Sequence, residues 1–389
     1  MDNKTLFKYG RYMARLMACT INQTVPEAPF EGIDWKQFYR LANFHNMISL
    51  VYPAVKSLQL PPEVLKEWTY NNNRLMAREA RQEIESKKVF DILAKENIPF
   101  IKMKGIVTKH FYPAPYMRTQ ADIDICMSEE HRRYCASFME KLGYGIFSVT
   151  ENTDEYMKDN FFFYEFHSTV NTSDSEFYEL FSDPFSKVKA SADGTGFVFT
   201  DEYFYLHLVT HLYKHFIIEG CGIRLLCDLY VYSKSHPNLD YDFIRKALEQ
   251  YGVLRFYENI IQLNECLFCG KDFTDNMTEI AIFVFKCGDH GSNTIRRLTI
   301  DSDDRKNSFS RKSQLKLIAQ IYFPGVKTLK YKYPMLEKAP VLLPFYWIRR
   351  GFETVFFKRD AIKTQSDVIK SVNTDEIREA QRVRELIDL

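Results

Sequence analysis

Ala121-Asp122-Ile123-Asp124-Ile125-Cys126-Met127 sets two carboxylates two residues apart inside an otherwise apolar run. In a β-strand successive side chains point to opposite faces, so Asp122 and Asp124 share one face while Ile123 and Ile125 share the other. At a rise of about 3.3 Å per residue their Cα atoms stand roughly 6.5 Å apart. Two carboxylates so placed can reach inward to hold one or two divalent cations, and paired metals about 3.5–4 Å apart support in-line phosphoryl chemistry. Burying two like charges side by side is costly unless a cation or hydrogen-bond donors compensate them. The competing reading is an edge strand with one solvated face.

The flanking segments supply context. Pro99-Phe100-Ile101-Lys102-Met103-Lys104-Gly105 is β-like and ends in glycine. Ile106 to Tyr112 reads as a short helix, followed by the Pro113-Ala114-Pro115 break and Arg118. Glu129 to Leu142 has a helical apolar pattern that stops at Gly143. Phe161 to His167 is strongly β-prone, with Glu165 and His167 on one face. The order is strand, helix, strand with two Asp, helix, then a strand with a third carboxylate.

That order, with Lys104-Gly105, Tyr112-Pro113, Arg118 and Asp122-Ile123-Asp124, resembles the minimal nucleotidyltransferase fold of the DNA polymerase beta superfamily. More narrowly it is similar to the uncharacterised bacterial nucleotidyltransferases often linked with surface-polysaccharide gene clusters. Glu165-Phe166-His167, His211, His215 and Asp228 fit the later pattern of that family. The resemblance implies an α+β fold in which a small mixed β-sheet nucleotidyltransferase core is flanked by N-terminal helices and a C-terminal helical domain. It implies transfer of a nucleoside monophosphate from an NTP to an acceptor hydroxyl, a saccharide being one candidate acceptor, with release of pyrophosphate. Asp122, Asp124 and Glu165 would form the catalytic metal site for Mg²⁺ or Mn²⁺, with Glu165 helping as general base. Lys104, Gly105, Arg118, His167, His211 and His215 would bind the nucleotide and close the cleft. In the wider superfamily a serine follows the glycine and touches the phosphates. Here Ile106 takes that place, so backbone N–H groups after Gly105, with Lys104 or Arg118, would have to hold the triphosphate.

Whole-chain properties bound the rest. The 389 residues suffice for two or three domains, and 46% apolar with 26% charged residues is ordinary globular composition. A net charge of +1 gives no electrostatic ground for a nucleic-acid partner. No window approaches a membrane span, and Lys8, Arg11 and Arg15 interrupt the N-terminus, so neither a transmembrane helix nor a signal peptide is expected and a cytoplasmic location is. The eight cysteines read as reduced thiols. Cys266 and Cys269, with Cys287 and His290, could hold zinc, but a helical C-x-x-C without a second pair is usually incidental.

Residue patterns divide the chain into an N-terminal helical region (1–73), a segment (74–200) that the resemblance implies is the nucleotidyltransferase core, a helical domain (201–300) and a charged, aromatic and basic extension (301–389). Arg74 to Asn97 reads as one amphipathic helix through Met76, Ala80, Ile84, Val89, Ile92 and Leu93. Asp240 to Leu267 reads as continuous helix. His207, His211 and His215 recur beside a stripe of Phe204, Leu208, Leu212 and Phe216. The three histidines span about 12 Å of helix, too far for all three to share one ion, though His211 with His215 could. Arg224 and Asp228 are spaced for an i,i+4 ion pair, unless Asp228 orients a histidine. Ser302 to Lys316 is a charged loop, and residues 345–359 mix rings and cations on a helix that either packs on its own domain or lies on an anionic membrane surface. Competing functions are a sugar-nucleotide glycosyltransferase using Asp-x-Asp, which calls for a βαβ series before the motif, and a nucleotide-binding protein without turnover.

Overall fold

The computed structural model describes residues 1–289, 291, 323, 325–329, 333, 335–357 and 374–387. His290, Ser302 to Lys316, Lys358 and Arg359 lie outside the described residues. Four helices precede the first strand: α1 (Asn3–Asn22), α2 (Trp35–Phe44), α3 (Ile48–Lys56) and α4 (Pro62–Lys95). This helical lead-in is the opposite of the βαβ series a glycosyltransferase calls for. Asp2 and Asp34 cap α1 and α2 by accepting from backbone N–H groups of the first turn. Helix α4 begins with proline at its first position and runs unbroken through residues 73 and 74, where residue patterns divide the chain.

The apolar pattern read for α4 holds only at its C-terminal end. Val89, Phe90 and Leu93 are buried, but Met76 and Ile84 face solvent, and the middle of the helix buries Glu79, Gln82 and Ser86 instead. The reason is a partner that a helical period does not reveal. Lys109, wholly buried, donates to Glu79 at 2.7 Å and to Glu83 at 2.6 Å, and Gln82 donates to the Gln120 carbonyl.

Among the described residues seven strands form one mixed sheet: β1 (Ile101–Lys102), β2 (Asp122–Cys126), β3 (Gly145–Val149), β4 (Thr153–Lys158), β5 (Phe162–His167), β6 (Val188–Ala190) and β7 (Phe197–Phe199), in the order β3-β4-β5-β2-β1-β7-β6. The segment expected to be helical from Ile106 is a single turn, α5 (Gly105–Thr108), continued by a 3₁₀ turn to Phe111. Strand β2 runs antiparallel to β1 and parallel to β5, so it is central and the edge-strand reading falls. Its alternation sorts the faces: Ile123 and Ile125 join a core with Val89, Phe90 and Leu93 of α4 and with Cys135, Phe138 and Met139 of α6 (Glu129–Lys141). The Asp face is left for the cleft. Ser128 caps α6, and Gly143 takes φ +83° just beyond its end.

The chain then becomes helical: α7 (Asp201–Ile218), α8 (Ile223–Ser235), α9 (Tyr241–Gln250), α10 (Leu254–Phe268) and α11 (Asp275–Cys287). The expected single helix from Asp240 to Leu267 is two, because the chain turns at Gly252 with φ +71°. Met13 and Leu16 of α1 share one buried core with Ile280 and Val284 of α11 and with the Phe204, Leu208, Leu212 and Phe216 stripe of α7. Beyond these lie α12 (Leu343–Phe357), whose Tyr346 and Trp347 pack on Tyr333 and Leu336, and α13 (Thr374–Leu386). Among the described residues no helix is long and apolar enough to cross a membrane. All eight cysteines are free; Cys266 is buried and Cys269 exposed, and neither joins a metal-competent group among the described residues.

Candidate active site

The register of β2 on β5 builds the site. Asp124 pairs with Glu165 and Cys126 with His167, and β4 sets Thr153 opposite His167. Period-two alternation therefore puts Asp122, Asp124, Glu165 and His167 on one face of two adjacent strands. Asp124 is the hub. It is 3% exposed, accepts a 2.5 Å hydrogen bond from Lys104 Nζ at its Oδ1, and has His167 Nε2 at 3.0 Å from the same oxygen. His167 Nε2 also lies 3.3 Å from Glu165 Oε2, and its Nδ1 is 3.1 Å from Thr153 Oγ1. One ligand atom each from Asp124, Glu165 and His167 falls within 4.8 Å of the others. Asp122 stands on the same face one pleat away and is not part of that group.

The charges respond to this crowding. Burial, then the neighbouring Asp124, raises the Asp122 carboxyl above its usual range. Burial acts the same way on Asp124, but Lys104 and His167 outweigh it and hold that carboxyl far below the ordinary range. Burial opposes the charge on Lys104, and Asp124, Asp122 and Glu165 overcome it, so the ammonium is stabilised. His167 is likewise raised against burial by its contacts with Asp124 and Glu165. A cluster of carboxylates balanced by one lysine and one imidazole suits a divalent cation, and the oxygen and nitrogen donor set fits one.

Lys104 carries φ +50°, an unusual conformation for a side-chain-bearing residue, which turns the chain from β1 into α5. The glycine after it leaves room for two side chains. A Cβ at Gly105 would lie 2.2 Å from Arg118 Nη1 and 2.5 Å from Gln120 Oε1. Arg118 lines the same cleft and also reaches Asp228. Its Nε and Nη2 donate to Asp228 Oδ1 and Oδ2 at 3.2 and 2.8 Å, and Tyr112 Oη donates to Asp228 Oδ1 at 2.8 Å, all buried. Among the described residues Asp228 thus neither pairs with Arg224 nor orients a histidine; Arg224 pairs instead with Asp289 at 2.5 Å and donates to the Thr119 carbonyl.

Opposite the carboxylates, α7 forms the other wall of a cleft of about 870 Å³. His207, His211 and His215 all line it, with the rings of His211 and His215 4.4 Å apart and His215 Nδ1 2.7 Å from Glu219 Oε1. Burial, reinforced by Lys104 and neighbouring cations, pushes His211 well below its ordinary value and His207 down to about 3. Both rings are therefore neutral at physiological pH. Reading α7 for its histidines overlooked Lys214, which lines the same wall, and Arg78 of α4, which donates to the Gln120 carbonyl at the cleft edge. Lys214 was legible in the run His211-Leu212-Tyr213-Lys214-His215; Arg78 had no signal in an apolar period.

This geometry agrees with what comparison shows: the family model described as uncharacterised nucleotidyltransferase matches residues 31–269. The chain belongs to that nucleotidyltransferase family. Membership makes it a transferase of nucleotidyl groups, and the matched span holds β1 to β7 and α7 to α10. No curated protein matches the chain. One similar solved structure is the solution structure of the antibiotic-resistance factor ANT(2'')-Ia, 13% identical, aligned over 46% of this chain and 97% of that one with a TM-score of 0.35.

Proposed function

We propose that this nucleotidyltransferase moves a nucleoside monophosphate from an NTP to an acceptor hydroxyl, using divalent cations held on the β2–β5 face. The observation that carries the reading is the register of Asp124 on Glu165 with Asp122 one pleat away. Asp122, Asp124 and Glu165 would hold the cations, whose chemistry when bound is to neutralise the triphosphate and polarise the transferring phosphorus. Glu165, whose side chain is 29% exposed, faces the cleft and is placed to take the proton of the acceptor hydroxyl as it attacks. That attack forms the new P–O bond as the bond to pyrophosphate breaks. Lys104 and Lys214 offer positive charge to the leaving phosphates, a role the missing serine after Gly105 cannot fill.

Arg118 is better read as a positioning residue: its fork is spent on Asp228, and it buttresses Gly105 from below. The neutral His211 can hydrogen-bond without adding charge. Asn46, Asn152, Thr169, Thr172 and Thr210 add uncharged polar groups to the lining, which suits a hydroxyl-rich acceptor such as a saccharide. The test is calorimetric binding of the four NTPs, with and without Mg²⁺ or Mn²⁺, to the wild type and to Asp124→Asn. Metal-dependent binding lost in the variant supports the reading and names the base. Absence of NTP binding by the wild type refutes it.

A further inference from the structure

The third member of the ion-sized cluster is an imidazole, not a carboxylate. Asp124, Glu165 and His167 present one ligand atom each within 4.8 Å, whereas Asp122 lies outside that group. We propose that His167 Nε2 is a direct metal ligand and that this cation site accordingly takes a divalent first-row transition ion in preference to Mg²⁺. The inference rests on the nucleotidyl-transfer reading above and says which ion its site selects.

Three observations support it. The β2–β5 register puts His167 on the carboxylate face, one pleat beyond Glu165, and Nε2 already sits 3.0 Å from Asp124 Oδ1 and 3.3 Å from Glu165 Oε2. The ring is braced from behind. Thr153 Oγ1, 3.1 Å from Nδ1, can accept the Nδ1–H hydrogen bond, so a cation that displaces the Nε2 proton would meet the Nε2 lone pair between the carboxylates. The ring cannot swing away cheaply either, because β4 pairs with β5 at this residue and the side chain is only 16% exposed. Mg²⁺ demands oxygen donors and holds its water tightly, whereas manganese, iron, cobalt and zinc accept a borderline nitrogen ligand. A single imidazole among carboxylates therefore tilts selection away from Mg²⁺.

The experiment is pulsed electron paramagnetic resonance of Mn²⁺ added to the full chain, read for nitrogen modulation, with Mg²⁺ titrated as competitor. Circular dichroism checks the fold of His167→Gln and His167→Asp, the second of which restores an all-oxygen ligand set. The expected result is modulation from a coordinated imidazole nitrogen in the wild type and its loss in both variants. Displacing half the Mn²⁺ should take Mg²⁺ in excess of at least about tenfold, and His167→Asp should lower that excess. Mn²⁺ bound at a site that Asp124→Asn abolishes, but without nitrogen modulation, would overturn the imidazole ligand and leave the nucleotidyl-transfer reading standing. Modulation that persists in both variants would likewise overturn it, by assigning the nitrogen to another residue. No Mn²⁺ bound with or without NTP would overturn the inference together with the metal site on which it rests.

Discussion

Asp122 and Asp124 look equivalent in sequence, yet the structure gives them opposite energetic roles. Asp124 compensates Lys104 and His167, so Asp124→Asn strips two buried partners of their counter-charge and should cost about 1–3 kcal/mol. Asp122 is a carboxylate crowded by burial and by Asp124, so Asp122→Asn should leave stability equal to or above wild type. Urea denaturation in the presence of a chelator measures both. If the two variants lose stability equally, the pair is structural and Asp124 is no hub. Gly105 is a second single-residue test. A methyl group there meets the Arg118 guanidinium at 2.2 Å, so Gly105→Ala should cost about 1–3 kcal/mol by overpacking and weaken NTP binding as the Lys104 turn is displaced. An Ala variant as stable and as tight-binding as wild type would show that Arg118 moves aside freely.

Helix α8 is fastened to the β1–β2 connection by one buried fork, Arg118 on Asp228, with Tyr112 as third member. Removing one partner of such a pair leaves an uncompensated buried charge, so Asp228→Leu should cost about 3–5 kcal/mol. Replacing both, Arg118→Met with Asp228→Leu, should recover most of that loss, because the desolvation cost of two ions disappears together. A double-mutant cycle by thermal or urea unfolding isolates the coupling, and additive losses would deny it. This contact also marks the boundary of what sequence could reveal. The Asp-Ile-Asp-Ile alternation announces a strand with one charged and one apolar face, because a period of two is a local property, and the structure keeps it. The run Phe162 to His167 was legible for the same reason. The Arg118–Asp228 fork joins residues 110 apart and leaves no periodic trace, so Asp228 was read against its helical neighbour Arg224 instead. In α4 the period misled outright: Met76 and Ile84 fit an apolar stripe, but the buried positions belong to Glu79 and Gln82, whose partners Lys109 and Gln120 come from another segment.

Across the whole molecule, the N-terminal helices close onto the C-terminal ones through a seam at the end of α2. His45 is fully buried there, with Nε2 3.2 Å from the Phe285 carbonyl of α11 and no partner for Nδ1 among the described residues, while Asn46 donates to Asp289 and the Asp289 N–H donates to the Phe44 carbonyl. Burial pushes the imidazole down to about 4, against a smaller opposing pull from the Phe285 carbonyl and Asp289. The folded ring therefore stays neutral over a range in which the unfolded ring, with its ordinary value near 6.5, already binds a proton. Between those two values the unfolded state holds more protons, so stability is full above about pH 6.5 and drains away as the pH falls toward 4. At roughly 1.4 kcal/mol per pH unit, this one residue accounts for up to about 3 kcal/mol of acid sensitivity. His207, pushed down to about 3, and His211 act in the same direction, so the wild-type slope has more than one source. His45→Gln keeps a donor for the Phe285 carbonyl but cannot take up a proton. Unfolding free energies measured from pH 8 to pH 4.5 with a chelator present should then fall less steeply for the variant than for the wild type, the two curves diverging only below about pH 6.5. Parallel curves would mean that the seam opens to water before His45 titrates, and that the N-terminal helices are not held to α11 by a dry contact.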